Sequence, residues 1–167
     1  VSNQARVDLE ENITSDNREI GIFYSDNTSG TVRLNDCSRN GNSGIWIQDQ
    51  VQVTMEENTC STNGSNGIVF TGNTKSVARQ NVSSNNLGAG FVVSEQAEPL
   101  LEENMCTNNG SGISFYDFAK GTARGNRCSE NENGILLLGQ SQPLLEGNIS
   151  TEISQSGFYY SDKAGGT

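Results

Sequence analysis

The chain has 167 residues, a formal net charge of −10 and a pI near 4.3, so its surface repels the phosphates of nucleic acids and of anionic lipid, and neither partner is expected. Only 32% of it is hydrophobic and 7% aromatic, with a mean hydropathy of −0.55, a balance that would suit a disordered chain if the apolar residues were scattered. They recur at a fixed period instead, which excludes disorder and predicts a thin columnar core, and no apolar run is long enough to cross a bilayer.

The N-terminal residues read as a partial coil, in which Leu9, Glu10, Asn12 and Thr14 occupy positions that reappear later. A glycine followed by an apolar residue then opens each coil, at Gly21-Ile22, Gly44-Ile45, Gly67-Ile68, Gly90-Phe91, Gly112-Ile113, Gly134-Ile135 and Gly157-Phe158. The spacings are 23, 23, 23, 22, 22 and 23 residues. After the glycine the pattern alternates as a strand requires: in Gly44-Ile45-Trp46-Ile47-Gln48-Asp49, Ile45 and Ile47 face in while Trp46 and Gln48 face out. The second inward position of this first strand reads Tyr24, Ile47, Phe70, Val93, Phe115, Leu137 and Tyr160. An acidic position follows at Asp26, Asp49, Glu95, Asp117 and Asp162, with Gly72 and Gly139 interrupting it.

A second strand in each coil contributes the inward column Leu9, Val32, Met55, Ala78, Leu101, Ala123 and Leu145. The next residue alternates in charge from coil to coil: Glu10, Arg33, Glu56, Arg79, Glu102, Arg124, Glu146. Opposite charges therefore face each other at every step, and their expected role is register, since an exposed pair contributes only about 0–1 kcal/mol. Two residues further stand Asn35, Asn58, Asn81, Asn104, Asn126 and Asn148. A third strand gives the inward column Thr14, Cys37, Cys60, Ser83, Cys106, Cys128 and Ser150, and a second asparagine column runs from Asn17 to Asn131 and fails only at Ile153.

Three short strands per coil, each with its own inward column, predict an all-β fold, a three-sided parallel β-helix of about seven coils. Coils would lie ~4.8 Å apart, close enough for one buried asparagine to hydrogen-bond the next along the axis. Asparagine also tolerates the left-handed backbone that a sharp corner needs. The stretch Asn35-Asp36-Cys37-Ser38-Arg39-Asn40, three residues, then Gly44-Ile45-Trp46-Ile47, with its copies, resembles the right-handed parallel β-helix repeat proteins of the pectate-lyase-like superfamily. The right hand is implied by that resemblance, as is an extracellular or cell-surface setting. The superfamily includes lyases, hydrolases, epimerases and non-catalytic modules, so activity stays open. Residues 1–167 are expected to form one β-helix domain, cut from a larger protein because both ends stop mid-coil, and the uncapped ends suit end-to-end self-association.

Among candidate sites, Cys37, Cys60, Cys106 and Cys128 are expected to be buried, reduced and structural. Stacked neighbours hold their Cβ atoms wider apart than a relaxed disulfide prefers, and no histidine completes a zinc set, so no metal or other cofactor is expected. The carboxylates Asp26, Asp49 and Asp117 are expected to be turn residues bonding their own backbone, with a ligand role as the sharper alternative. The outward face of the first strand carries Phe23, Trp46, Tyr159 and, one position on, Tyr116, an aromatic stripe where polar residues belong. It suits a polysaccharide, or another protein or domain, lying along the first-strand sheet. The absence of histidine leaves no Ser-His-Asp set and no histidine base. The preferred expectation is a non-catalytic scaffold or binding module; the alternatives are a carbohydrate-binding module and a polysaccharide lyase or glycoside hydrolase.

Overall fold

The structure is a computed structural model that describes residues 1–166. It is a right-handed parallel β-helix with three parallel sheets running along its length. Sheet one stacks seven first strands, from Ile22–Tyr24 through Ile45–Ile47 and Ile68–Phe70 to Ser156–Tyr160. Sheet two stacks seven second strands, from Leu9–Glu10 to Leu144–Glu146. Sheet three holds five, from Thr59–Ser61 to Ile149–Thr151. In the first two coils that side is reduced to isolated parallel bridges, Ile13 to Asp36 and Asp36 to Thr59, so the third strand is not formed in every coil.

Register follows the repeat without slippage. Ile22, Ile45 and Ile68 pair in succession on sheet one, and Leu101 pairs with both Ala78 and Ala123 on sheet two. The expected inward columns form the core. Tyr24, Ile47, Phe70, Val93, Phe115 and Leu137 are fully buried, and so are Val32, Met55, Ala78, Leu101 and Ala123. In the seventh coil the equivalent residues Phe158 and Tyr160 are exposed.

The repeated glycine has a steric cause at the tight corner after sheet three. A Cβ on Gly112 would lie 2.5 Å from Cys128 Sγ and 2.6 Å from the carbonyl oxygen of Gly134. The column of small third-strand side chains and the glycine column therefore require each other. Gly30 answers a different constraint: at φ +143° its Cβ would stand 1.9 Å from the Val7 carbonyl oxygen.

Left-handed backbone falls one residue earlier than the sequence suggests. Leu34, Glu57, Gln80 and Glu103 have φ between 53° and 55°, and the ladder asparagines that follow them do not share it. Those asparagines are therefore selected for their side-chain amides and not for backbone tolerance.

Candidate functional site

Most of the repeating polar side chains are spent on holding coils together. Asn35 to Asn126 are buried, and each amide links three coils. The Nδ2 of Asn58 donates to Asn81 Oδ1 at 2.8 Å and to the Val32 carbonyl at 2.7 Å, while its backbone N–H donates to the same Oδ1 at 3.0 Å. Asn104 and Asn126 repeat this pattern toward Asn126 and Asn148. The second column does likewise, as in Asn86 Nδ2 to Asn109 Oδ1 at 3.0 Å.

The four cysteines are buried free thiols. Burial pushes the thiols of Cys60 and Cys106 well above their ordinary range. Such groups are inert packing elements.

The charge row is only partly continuous. Arg79 meets Glu102 at 2.7 Å, and Arg124 spans Glu102 at 3.5 Å and Glu146 at 2.8 Å. Arg33 pairs with Glu10, but on its other side it reaches Glu57 at 4.0 Å. Glu56 is in register with both Arg33 and Arg79, yet the ion pairs near it run to other carboxylates.

The acidic column also works between coils. Asp49 Oδ2 accepts the backbone N–H of Asp26 at 3.1 Å, and Asp117 Oδ2 accepts that of Glu95 at 3.2 Å. Asp26 Oδ2 accepts the N–H of Asn3 at 2.7 Å. Each carboxylate thus caps the neighbouring coil's turn, where bonds to its own backbone were expected. Asp26, Asp49 and Asp117 themselves hold left-handed φ of 64°, 67° and 56°.

The aromatic stripe on sheet one is broken in the middle. Phe23 is paired in register with Trp46, and Phe23 is 39% exposed. Trp46 leans along the sheet and donates from Nε1 to Thr71 Oγ1 at 3.2 Å. Val69 and Ser114, on the same outward face, are buried, and Ser114 Oγ has no hydrogen-bond partner among the described residues. At the far end Tyr159 pairs with Leu136, and the two, with Leu138, line a shallow cavity of about 290 Å³. Tyr116 stands half-buried between the two ends. Phe23 and Trp46 form one patch and Tyr159 another; the structure does not bring them together.

A second surface feature went unrecognised in the sequence. At the corner between sheets one and two, the residue after each acidic position forms an exposed row containing Gln50, Asn73, Gln96, Phe118 and Gln140. Two residues later a second row contains Gln52, Lys75, Glu98, Lys120 and Gln142. Between the rows the chain dips inward through buried Val51, Thr74, Ala97 and Ala119, leaving a groove parallel to the axis. One stretch of about 550 Å³ and another of about 440 Å³ share Asn73 and Lys75 as lining. The signal in the sequence was the recurrence of an amide directly after the acidic position. It is blurred because lysine, glutamate and phenylalanine interrupt it.

No curated protein and no solved structure gives a significant match to the chain. A family match covers almost all of it, over residues 1–149 and again over residues 100–166, the overlap being natural for a tandem repeat. With its parallel coils and buried asparagine ladders, the chain belongs to the family described as periplasmic copper-binding protein (NosD).

Proposed function

We propose that this chain is a non-catalytic β-helix scaffold and binding module that presents the outward face of sheet one to a partner or ligand. One observation carries the reading. The polar residues that repeat most regularly are consumed by bonds between coils, whereas Phe23 and Tyr159 stand exposed on rigid strands of the outward face. Aromatic side chains on a rigid sheet lose little conformational freedom when covered, so they are efficient contact residues. A carbohydrate ligand is the second reading, supported by Gln48 and Asp49 lying next to Trp46 along the chain.

The family description supports a periplasmic setting for this chain. It also names copper, which the residues here do not fit. Soft and borderline copper sites use cysteine, methionine and histidine. The chain has no histidine, its four cysteines and Met55 have no exposed surface, and Met105 is exposed but is a single soft donor. Among the described residues no three of the histidine, cysteine and acidic side chains converge on a metal position.

Trp46 is the single tryptophan, so its emission reports on the sheet-one face. Titration with a panel of oligosaccharides and with periplasmic protein fractions is expected to shift that emission saturably, and Phe23→Ala is expected to weaken the response. Binding that leaves both the emission and its dependence on Phe23 unchanged would remove sheet one as the contact surface.

A further inference from the structure

Charge is missing from one face of this chain, the outward side of sheet one. Its two outward positions run from Phe23 and Ser25 in the first coil to Tyr159 and Ser161 in the seventh, and none holds a charged residue. The chain has ten basic and twenty acidic side chains, and both other sheets place some of them outward. Sheet two carries the row from Glu10 to Glu146, and sheet three carries exposed Arg127. Strands stack at ~4.8 Å, so the uncharged strip is ~29 Å long. Ser114 lies on this face fully buried, and its Oγ has no partner among the described residues. A buried hydroxyl of that kind calls for a partner.

One long margin of the strip is acidic. Asp26, Asp49, Glu95 and Asp117 each follow one of its outward residues directly in the chain. Each is anchored to the neighbouring coil by a single oxygen. Asp26 Oδ2 accepts the N–H of Asn3 at 2.7 Å, and Asp49 Oδ2 accepts that of Asp26 at 3.1 Å. Glu95 Oε2 accepts the N–H of Gly72 at 2.9 Å, and Asp117 Oδ2 accepts that of Glu95 at 3.2 Å. The second oxygen of each carboxylate has no hydrogen-bond or ion-pair partner among the described residues. Lysines of the adjoining corner do not serve them, since Lys75 and Lys120 turn to Glu98 at 3.3 and 4.0 Å.

We infer that sheet one docks a protein partner whose contact surface is apolar and uncharged along its middle and carries lysine or arginine along one edge. This rests on the reading of sheet one as the contact face and adds the chemistry of what covers it. Exposed Phe23 and Tyr159 are matched by apolar side chains, and the free carboxylate oxygens by the cations of the edge. A charge placed over the strip itself would be buried without an opposite, which is costly. A second copy does not fit, because it brings a further net charge of −10. Margin charges of this kind steer encounter and fix orientation more than they add affinity.

Synthetic amphipathic helices of about 20 residues span the strip and serve as probes. One has a leucine face edged by lysine; the second replaces its lysines by glutamate, and the third replaces its leucines by serine. Each is titrated into the whole chain by calorimetry and by Trp46 emission. The leucine–lysine peptide is expected to bind saturably and shift the emission, more weakly as salt is raised. The other two are expected to bind at least about tenfold more weakly. Asp49→Asn/Glu95→Gln/Asp117→Asn keeps the capping acceptors, and Asn85 and Gln80 already hold left-handed backbone elsewhere. This variant is expected to lose about tenfold in affinity, whereas Glu11→Gln/Glu130→Gln/Glu152→Gln, with the same charge removed from other faces, stays within about twofold. Equal binding of the leucine–glutamate or serine–lysine peptide overturns the inference and leaves sheet one as a contact face. Equal loss in both triple variants also overturns it, since attraction would then come from net charge alone. No binding by any peptide overturns the inference. Binding that changes neither with Phe23→Ala nor the Trp46 emission overturns the sheet-one reading as well. Circular dichroism of each variant confirms the fold before affinities are compared.

Discussion

Asn81 donates from both its backbone N–H and its Nδ2 to one acceptor, Oδ1 of Asn104, at 3.0 Å each. Its remaining Nδ2 proton reaches the Met55 carbonyl at 3.1 Å, in the coil on the other side. One amide therefore stitches three coils, and its removal strands polar groups on two of them. Asn81→Leu is expected to destabilise the chain by about 2–4 kcal/mol, since each buried group left unpaired costs about 1–3 kcal/mol. The urea midpoint reads this directly. A shift no larger than that of an exposed substitution such as Gln80→Ala would show that the ladder contributes little.

The glycine at the tight corner gives a second prediction. With Gly112 so close to both Cys128 Sγ and the Gly134 carbonyl, Gly112→Ala is expected to cost about 2–4 kcal/mol through overpacking. Combining it with Cys128→Ala removes the sulfur contact but not the backbone one. The double variant is therefore expected to recover only part of the lost thermal stability. Full recovery would place the whole clash at the sulfur.

How much of this was legible follows from what repeats identically. The inward columns could be read because a strand alternates and each coil restates the same alternation, so Ile47, Met55 and Cys60 were assignable to the core. The asparagine columns could be read for the same reason. The left-handed residue could not, because the position before each asparagine accepts leucine, glutamate, glutamine or glycine alike. Charge alternation fixed which residues face each other but not which atoms meet, and so Arg33 could reach Glu57 in preference to Glu56. The groove was hidden because its rims are defined by the corner's shape, and no single residue type marks them.

The thiols yield a chemical prediction. Cys37, Cys60, Cys106 and Cys128 are fully buried, and burial disfavours the reactive thiolate at Cys60 and Cys106. A thiol-reactive dye is expected to label none of the four in the native chain and all four in denaturant, with no reductant needed. Rapid native labelling of any one would mean that the coils open locally there. Serine at Ser83 and Ser150 in the same column shows that the site tolerates a hydroxyl, so Cys106→Ser is expected to fold.

The last prediction concerns Tyr24, whose ring is buried under the first coils and whose hydroxyl donates to the Val7 carbonyl at 2.8 Å. Burial, with a smaller contribution from the nearby Asp8 carboxylate, raises its phenol to about 12. A raised folded-state value means that the folded chain resists losing this proton. The stability it contributes is complete below the unfolded phenol value of about 10 and is lost as pH rises from there through about 12. Tyr24→Phe cannot ionise, but it leaves the Val7 carbonyl without its donor, at a cost of about 1 kcal/mol near neutral pH. Wild type is therefore expected to be the more stable of the two up to about pH 10, and its advantage to shrink between there and about pH 12. Denaturant midpoints of both chains at pH 8, 10 and 11.5 measure that difference while cancelling the titration of every other group they share. A gap that stays constant across this range would mean that Tyr24 is not held neutral by its burial.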